Sequence, residues 1–185
     1  SHDNDGGFML VCSSGTWKPP HMIPNTGTIV RYNISQNDRA RTFHISGPVR
    51  DLQIYNNTFF IGKELDIPLL LFTDWDGWSQ GIQVANNIFY AAGKARYASG
   101  LRHNPDGTYE DTMGFGQSRN NLLEHNLYFG NHANQPRGAS DIAGDPQLMN
   151  PGTGGNGFAS LEGYKIKPGS PCLGAGKMIP AHGRR

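Results

Sequence analysis

The chain has 185 residues, a length for one domain, and its 16 basic and 15 acidic residues leave a net charge of +1. A field so close to neutral gives no reason to expect a polyanion partner, and no basic stripe points to nucleic acid. No apolar run approaches the ~20 residues of a membrane-spanning helix, and the two cysteines, Cys12 and Cys172, read as separate buried thiols rather than a disulfide.

The chain opens with Ser1-His2-Asp3-Asn4-Asp5, which aligns with Ser35-Gln36-Asn37-Asp38 further on. The start therefore falls part-way through a repeat, as expected of the C-terminal part of a longer stack or of a chain that has lost a preceding segment. An uncovered first coil exposes strand edges, so a partner chain or self-association is expected at this end. Asp3 and Asp5 are also the metal candidates: carboxylates one residue apart begin a calcium site, which needs about six to eight oxygens. An ordinary turn is the alternative.

A strand is expected over Gly7–Cys12 (GFMLVC), and its counterparts are Thr42–Ser46 (TFHIS) and Pro68–Thr73 (PLLLFT), with Met113–Gly116 as a less clear fourth. Aligning Phe8 with Phe43 and Leu10 with Ile45 puts Met9 and His44 outward and Cys12 inward. The loops that follow these strands differ. Residues 13–27 carry Trp17, Lys18 and His21, stiffened by Pro19, Pro20 and Pro24. Gly47-Pro48 is short. Residues 74–80 carry Asp74, Trp75, Asp76 and Trp78. The two long loops are thus expected to stand about 10 Å apart, two strand spacings, over a low middle coil with His44 on its floor.

Between these strands one phrase recurs: IVRYNIS (29–35), LQIYNNTF (52–59), IQVANNIF (82–89) and LLEHNLYF (122–129). Overlaying them puts Asn33, Asn57, Asn87 and Asn126 in one column, 24, 30 and 39 residues apart. Recurrence with variable filler marks a stacked repeat. Strand coils tolerate such variation because loops bulge outward without disturbing the stack. An Asn at each bend can bond backbone and the Asn of the neighbouring coil, so a buried polar row stays satisfied. The segment 91–120 is a long excursion with Tyr97, Arg102, His103, Tyr109, Glu110 and Asp111, and 130–143 is polar and irregular. DPQL (145–148) and SLEGYKIKPGSPCLGAGK (160–177) form a closing segment.

These repeats and the closing segment resemble the right-handed parallel β-helix of pectate-lyase-like carbohydrate-active proteins, with its asparagine ladder. The resemblance spans nearly the whole chain. It implies an all-β fold, a single domain over 1–185 with coils over 1–144 and a closing segment over 145–185, and a secreted or periplasmic setting. It says little about the reaction, since one fold hosts many functions.

Three groups carry candidate chemistry. Asp74 and Asp76 supply the acid and base of a glycoside hydrolase, with the neighbouring Trp rings to desolvate one of them. An Asp-Gly turn is the plain alternative. His44 beside Arg41 suits a polysaccharide lyase: the imidazole removes a proton next to a uronate carboxylate that the guanidinium neutralises. Trp17, Trp75 and Trp78, with Arg41, Lys18 and His21, suit stacking on and bonding to sugars. No cofactor is required, calcium apart. The expected function is polysaccharide cleavage by hydrolysis or β-elimination, or else glycan binding or a structural role by a module whose active site lies on a missing N-terminal part. The pattern Asn-x-Ser/Thr at Asn33 and Asn56 reads as accidental, because Asn33 belongs to the internal column.

Overall fold

The computed structural model describes residues 1–13, 24–103 and 109–179. Thirteen strands are found there: β1 (Met9–Cys12), β2 (Ile29–Arg31), β3 (Ile34–Gln36), β4 (Phe43–Ser46), β5 (Gln53–Tyr55), β6 (Thr58–Ile61), β7 (Asp66–Thr73), β8 (Gln83–Ala85), β9 (Ile88–His103), β10 (Tyr109–Met113), β11 (Leu122–Glu124), β12 (Leu127–Ala133) and β13 (Ile142–Ala143). One 3-10 helix follows, Phe158–Tyr164. The chain is all-β with parallel sheets, an arrangement compatible with a parallel β-solenoid.

One sheet has the order β11-β8-β5-β2, with each strand parallel to the next and Val30, Ile54, Val84 and Leu123 in one row. The other runs β1-β4-β7-β9-β12-β13, and β3-β6 joins it through β9. Alternation sends Phe43, Ile45, Phe59, Ile61, Phe72, Phe89 and Tyr128 into the core. There Phe59 stacks on Phe89 at 5.3 Å, and Phe89 on Tyr128 at 5.2 Å, between ring centroids.

The Asn column is present as expected. Asn57, Asn87 and Asn126 are buried. Asn87 Nδ2 donates to Asn126 Oδ1 at 3.0 Å and to the Ile54 carbonyl at 2.9 Å, while its Oδ1 accepts from the N–H and Nδ2 of Asn57, both at 3.0 Å. Asn57 repeats this toward Asn33. The left-handed residue at each bend, however, is the one before the column: Tyr32, Asn56, Asn86 and His125, with φ between 53° and 57°. The column Asn bonds the turn and its predecessor bends it.

A fifth member was not legible. Asp141 takes the place of Asn, its Oδ1 accepting from Asn126 N–H at 2.8 Å, and Ser140 before it is left-handed. It lies only 15 residues after Asn126, and a carboxylate suits the end position because it need only accept.

Three expectations are corrected. First, β1 pairs Met9 with Phe43, Leu10 with His44 and Cys12 with Ser46, one residue off the expected register. Leu10 is therefore 53% exposed, Val11 is inward, and Cys12 shares the outward side with Ser46. Gly7 has no Cβ because one would meet the Arg41 carbonyl at 2.7 Å. Phe8 still reaches the core from just before the strand, 5.5 Å from Phe43. Second, the fourth counterpart of the TFHIS strand is the far half of β9, where Tyr97 pairs with Leu70, rather than Met113–Gly116. β9 runs on into an antiparallel hairpin with β10, so much of 91–120 is paired strand. Third, β12 continues through Ala133 beside β9, so the segment after Asn126 begins as strand.

The closing segment does more than finish the last repeat. Tyr164 OH donates to Gln36 Oε1 at 2.6 Å, and Gly154 N–H donates to the same oxygen at 2.7 Å. Residues 150–164 thus reach back to β3, near the start of the stack. The chain then returns: Leu148 bridges Ile166, and Lys177 reaches Asn86 and Glu124. Cys12 and Cys172 are both free thiols.

Candidate functional site

The outward side of β1, β4 and β7 carries His44. Its neighbours in register are Leu10 and Leu71, and its flanking residues Phe43 and Ile45 are fully buried. His44 Nε2 lies 2.8 Å from Thr73 Oγ1, whose own hydroxyl donates to Ser46 Oγ at 2.8 Å. With the Thr73 proton given to Ser46, the imidazole Nε2–H is the donor. Nδ1 is then a lone pair, and it is buried with no hydrogen-bond partner. Burial, and secondarily the charge of Arg41, push the imidazole down to about 4, so it is neutral at pH 7.

Loops leave this sheet side by side. Ser13 N–H donates to the Ser46 carbonyl, and Gly47 N–H to the Thr73 carbonyl, both at 3.1 Å. Gly47 has φ +77°, and a Cβ there would stand 2.3 Å from the Ser13 carbonyl and 3.1 Å from that of Trp75. Only glycine fits between the two flanking backbones. Trp17, Lys18 and His21 lie outside the described residues.

The 74–80 loop is a turn held by its first residue. Asp74 Oδ1 accepts the Gly77 N–H at 2.8 Å, and Asp76 takes a left-handed φ of 54°. Both carboxylates are exposed, and Trp75 is 45% exposed beside them. Trp78 instead packs against the core, and its carbonyl accepts from Arg50 Nη1 at 2.9 Å. The described residues thus offer one free indole in this loop, with no apolar enclosure around either Asp.

Asp3 and Asp5 are engaged within the protein. Burial raises the Asp3 carboxyl, but hydrogen bonds from Asn37 and Gln36, with His2 alongside, hold it below the usual range. Asn37 Nδ2 donates at 2.8 Å and Gln36 Nε2 at 2.9 Å. Asp5 pairs with Arg39 at 3.2 Å. These bonds tie Asp3 to the equivalent bend of the next repeat, where Asn37 has the same left-handed φ. Among the described residues no cluster of three or more His, Cys, Asp or Glu is placed to hold a metal, and no helix is long and apolar enough to cross a membrane.

Two features were missed in the sequence. One is a pair between buried Tyr97 and half-buried His132: Tyr97 OH lies 3.1 Å from His132 Nδ1, while His132 Nε2–H donates to the Phe129 carbonyl at 3.1 Å. The other is a cavity of about 240 Å3 between the bends and the closing segment, lined among others by Asn56, Asn86, His125, Cys172, Ala175 and Gly176. Its one signal is the doubled Asn in Asn56-Asn57 and Asn86-Asn87. The second Asn serves the column and leaves the first free to act outward. Comparison with protein-family models, curated proteins and solved structures gives no match for this chain.

Proposed function

We propose that this chain is a right-handed parallel β-helix, pectate-lyase-like in its repeats, and that it acts as a polysaccharide-binding module of a secreted or periplasmic protein. The bonded Asn column and the parallel register support the β-helix. The binding reading rests on one observation: Trp75 stands exposed beside an outward strand face that carries a neutral His44 next to Arg41. An indole face and edge supply flat apolar area and a donor for a sugar ring. Hydrolysis by Asp74 and Asp76 is the weaker reading, because both are exposed and Asp74 is occupied in holding its turn. A lyase reading has one point in its favour, the unpartnered Nδ1 of His44. That atom is enclosed, and a base pushed down to about 4 abstracts protons poorly.

The test is titration against a panel of neutral and uronate polysaccharides, with product analysis. The expected outcome is retention of at least one polysaccharide without products, weakened by roughly 1–2 kcal/mol in Trp75→Ala. New reducing ends would replace the module with a hydrolase, and unsaturated ends with a lyase. Binding that Trp75→Ala leaves unchanged, or no binding at all, would remove this site.

A further inference from the structure

The bends that precede the Asn column hold the end of the chain in a regular way. His125 Nδ1–H donates to the Ala175 carbonyl at 3.2 Å. One repeat back, Asn86 takes both polar groups of Lys177: its Nδ2 donates to the Lys177 carbonyl at 2.8 Å, and its Oδ1 accepts the Lys177 N–H at 2.9 Å. A carboxamide can do this only where one residue presents its N–H and C=O on the same side, which is what an extended backbone does. Successive contacts are two residues apart, the period of an extended strand.

The next repeat offers the same device without an occupant. Asn56 stacks on Asn86 and is left-handed in the same way, with φ 56° against 55°. Asn56 lines the same cavity as Ala175 and Gly176, and its carboxamide has no hydrogen bond among the described residues. A further two-residue step from Lys177 would bring Ile179 to this level. Ile179 is half-buried, and its backbone also lacks a hydrogen bond among the described residues. Pro180 follows, so Ile179 is the last residue before one that has no N–H to give.

We infer that Asn56 is a strand-capture site whose ligand is the backbone of Ile179, so that His125, Asn86 and Asn56 form a three-step rail for the chain's own C-terminal segment. The shared chemistry would also accept an extended residue from another copy. The intramolecular occupant is favoured because the chain already lies on the two preceding steps and Ile179 is the next residue at the same two-residue period. A latched tail fixes the closing segment from Ala175 to Ile179, and releasing it opens the cavity first at its Asn56 edge.

The test is amide hydrogen exchange resolved residue by residue on the full chain. The Ile179 amide is expected to exchange roughly five- to tenfold more slowly than that of Met178, the effect of about one net hydrogen bond. Asn56→Gly, which removes the carboxamide and keeps the left-handed bend, is expected to abolish that difference while Lys177 stays protected. Asn86→Gly is expected to release Lys177 and serves as the positive control. Ile179 exchanging as fast as Met178 in the unaltered chain would overturn the proposal. So would protection that survives Asn56→Gly, or protection that grows with protein concentration, which would assign the occupant to a second copy.

Discussion

Each repeat has two parts that behave in opposite ways. Asn33, Asn57, Asn87 and Asn126 each follow a left-handed residue, Gly27, Asp51, Gly81 and Asn120, at a constant separation of six. The rest of the repeat differs each time and carries every loop. In the short arc, a change of one residue would move the column Asn off its partners and strand the amides that depend on it. In the long part nothing enforces length, because a loop in water satisfies its own polar groups. Asn87 and Asp74 show the contrast at single residues. Both are polar and both accept a backbone N–H, but Asn87 is buried with every bond internal, whereas Asp74 is exposed and bonds only its own turn.

That contrast is best broken at Asn87. Asn87→Leu leaves the Asn57 N–H without its acceptor and takes the Nδ2 donor away from the Ile54 carbonyl and Asn126 Oδ1. It is expected to cost on the order of 3 kcal/mol in urea unfolding. A loss below about 1 kcal/mol would mean the column is decorative.

His44 tests the variable part where it is strand, since it stands half-buried on the outward side of β4. Its folded value of about 4 lies below the ordinary 6.5, so the unfolded chain takes up the proton first. Its contribution to stability is full above pH 6.5, declines as pH falls toward 4, and levels off below. The pH-dependent part is on the order of 1–2 kcal/mol, discounted for partial exposure. His44→Asn is expected to flatten the stability profile between those pH values, measured as the difference from the unaltered chain. Parallel profiles would contradict the burial of the imidazole.

The smallest effect is expected in the loop. Asp74→Ala removes one exposed turn bond and should cost about 0.5 kcal/mol or less in thermal unfolding. A loss as large as that of Asn87→Leu would show that the turn is part of the scaffold.

The same contrast explains what was legible. The Asn column could be found because one chemical requirement recurs at four places and each time selects the same residue between apolar neighbours. Asp141 escaped because the end of the column needs an acceptor alone and so relaxes that choice. The register of β1 was missed because Phe8, Met9, Leu10 and Val11 are all apolar, so alternation carries no information there. The close approach of Gly7 to Arg41, a tertiary fact, decides it. The pairing of β9 with β7 was hidden for a similar reason: Ala91, Ala95 and Tyr97 line the core without the branched residues of the other strands. In the candidate site, the exposure of Trp75 and the inward packing of Trp78 depend on one turn, and no pattern separates two indoles three residues apart.

The side-chain amides of the column can be watched one by one. Hydrogen exchange of the Asn carboxamides, resolved by NMR, should show Asn57, Asn87 and Asn126 protected against solvent, Asn33 at the end of the row less so, and exposed Asn120 exchanging freely. Asn57 and Asn87 exchanging as fast as Asn120 would contradict the stacked column.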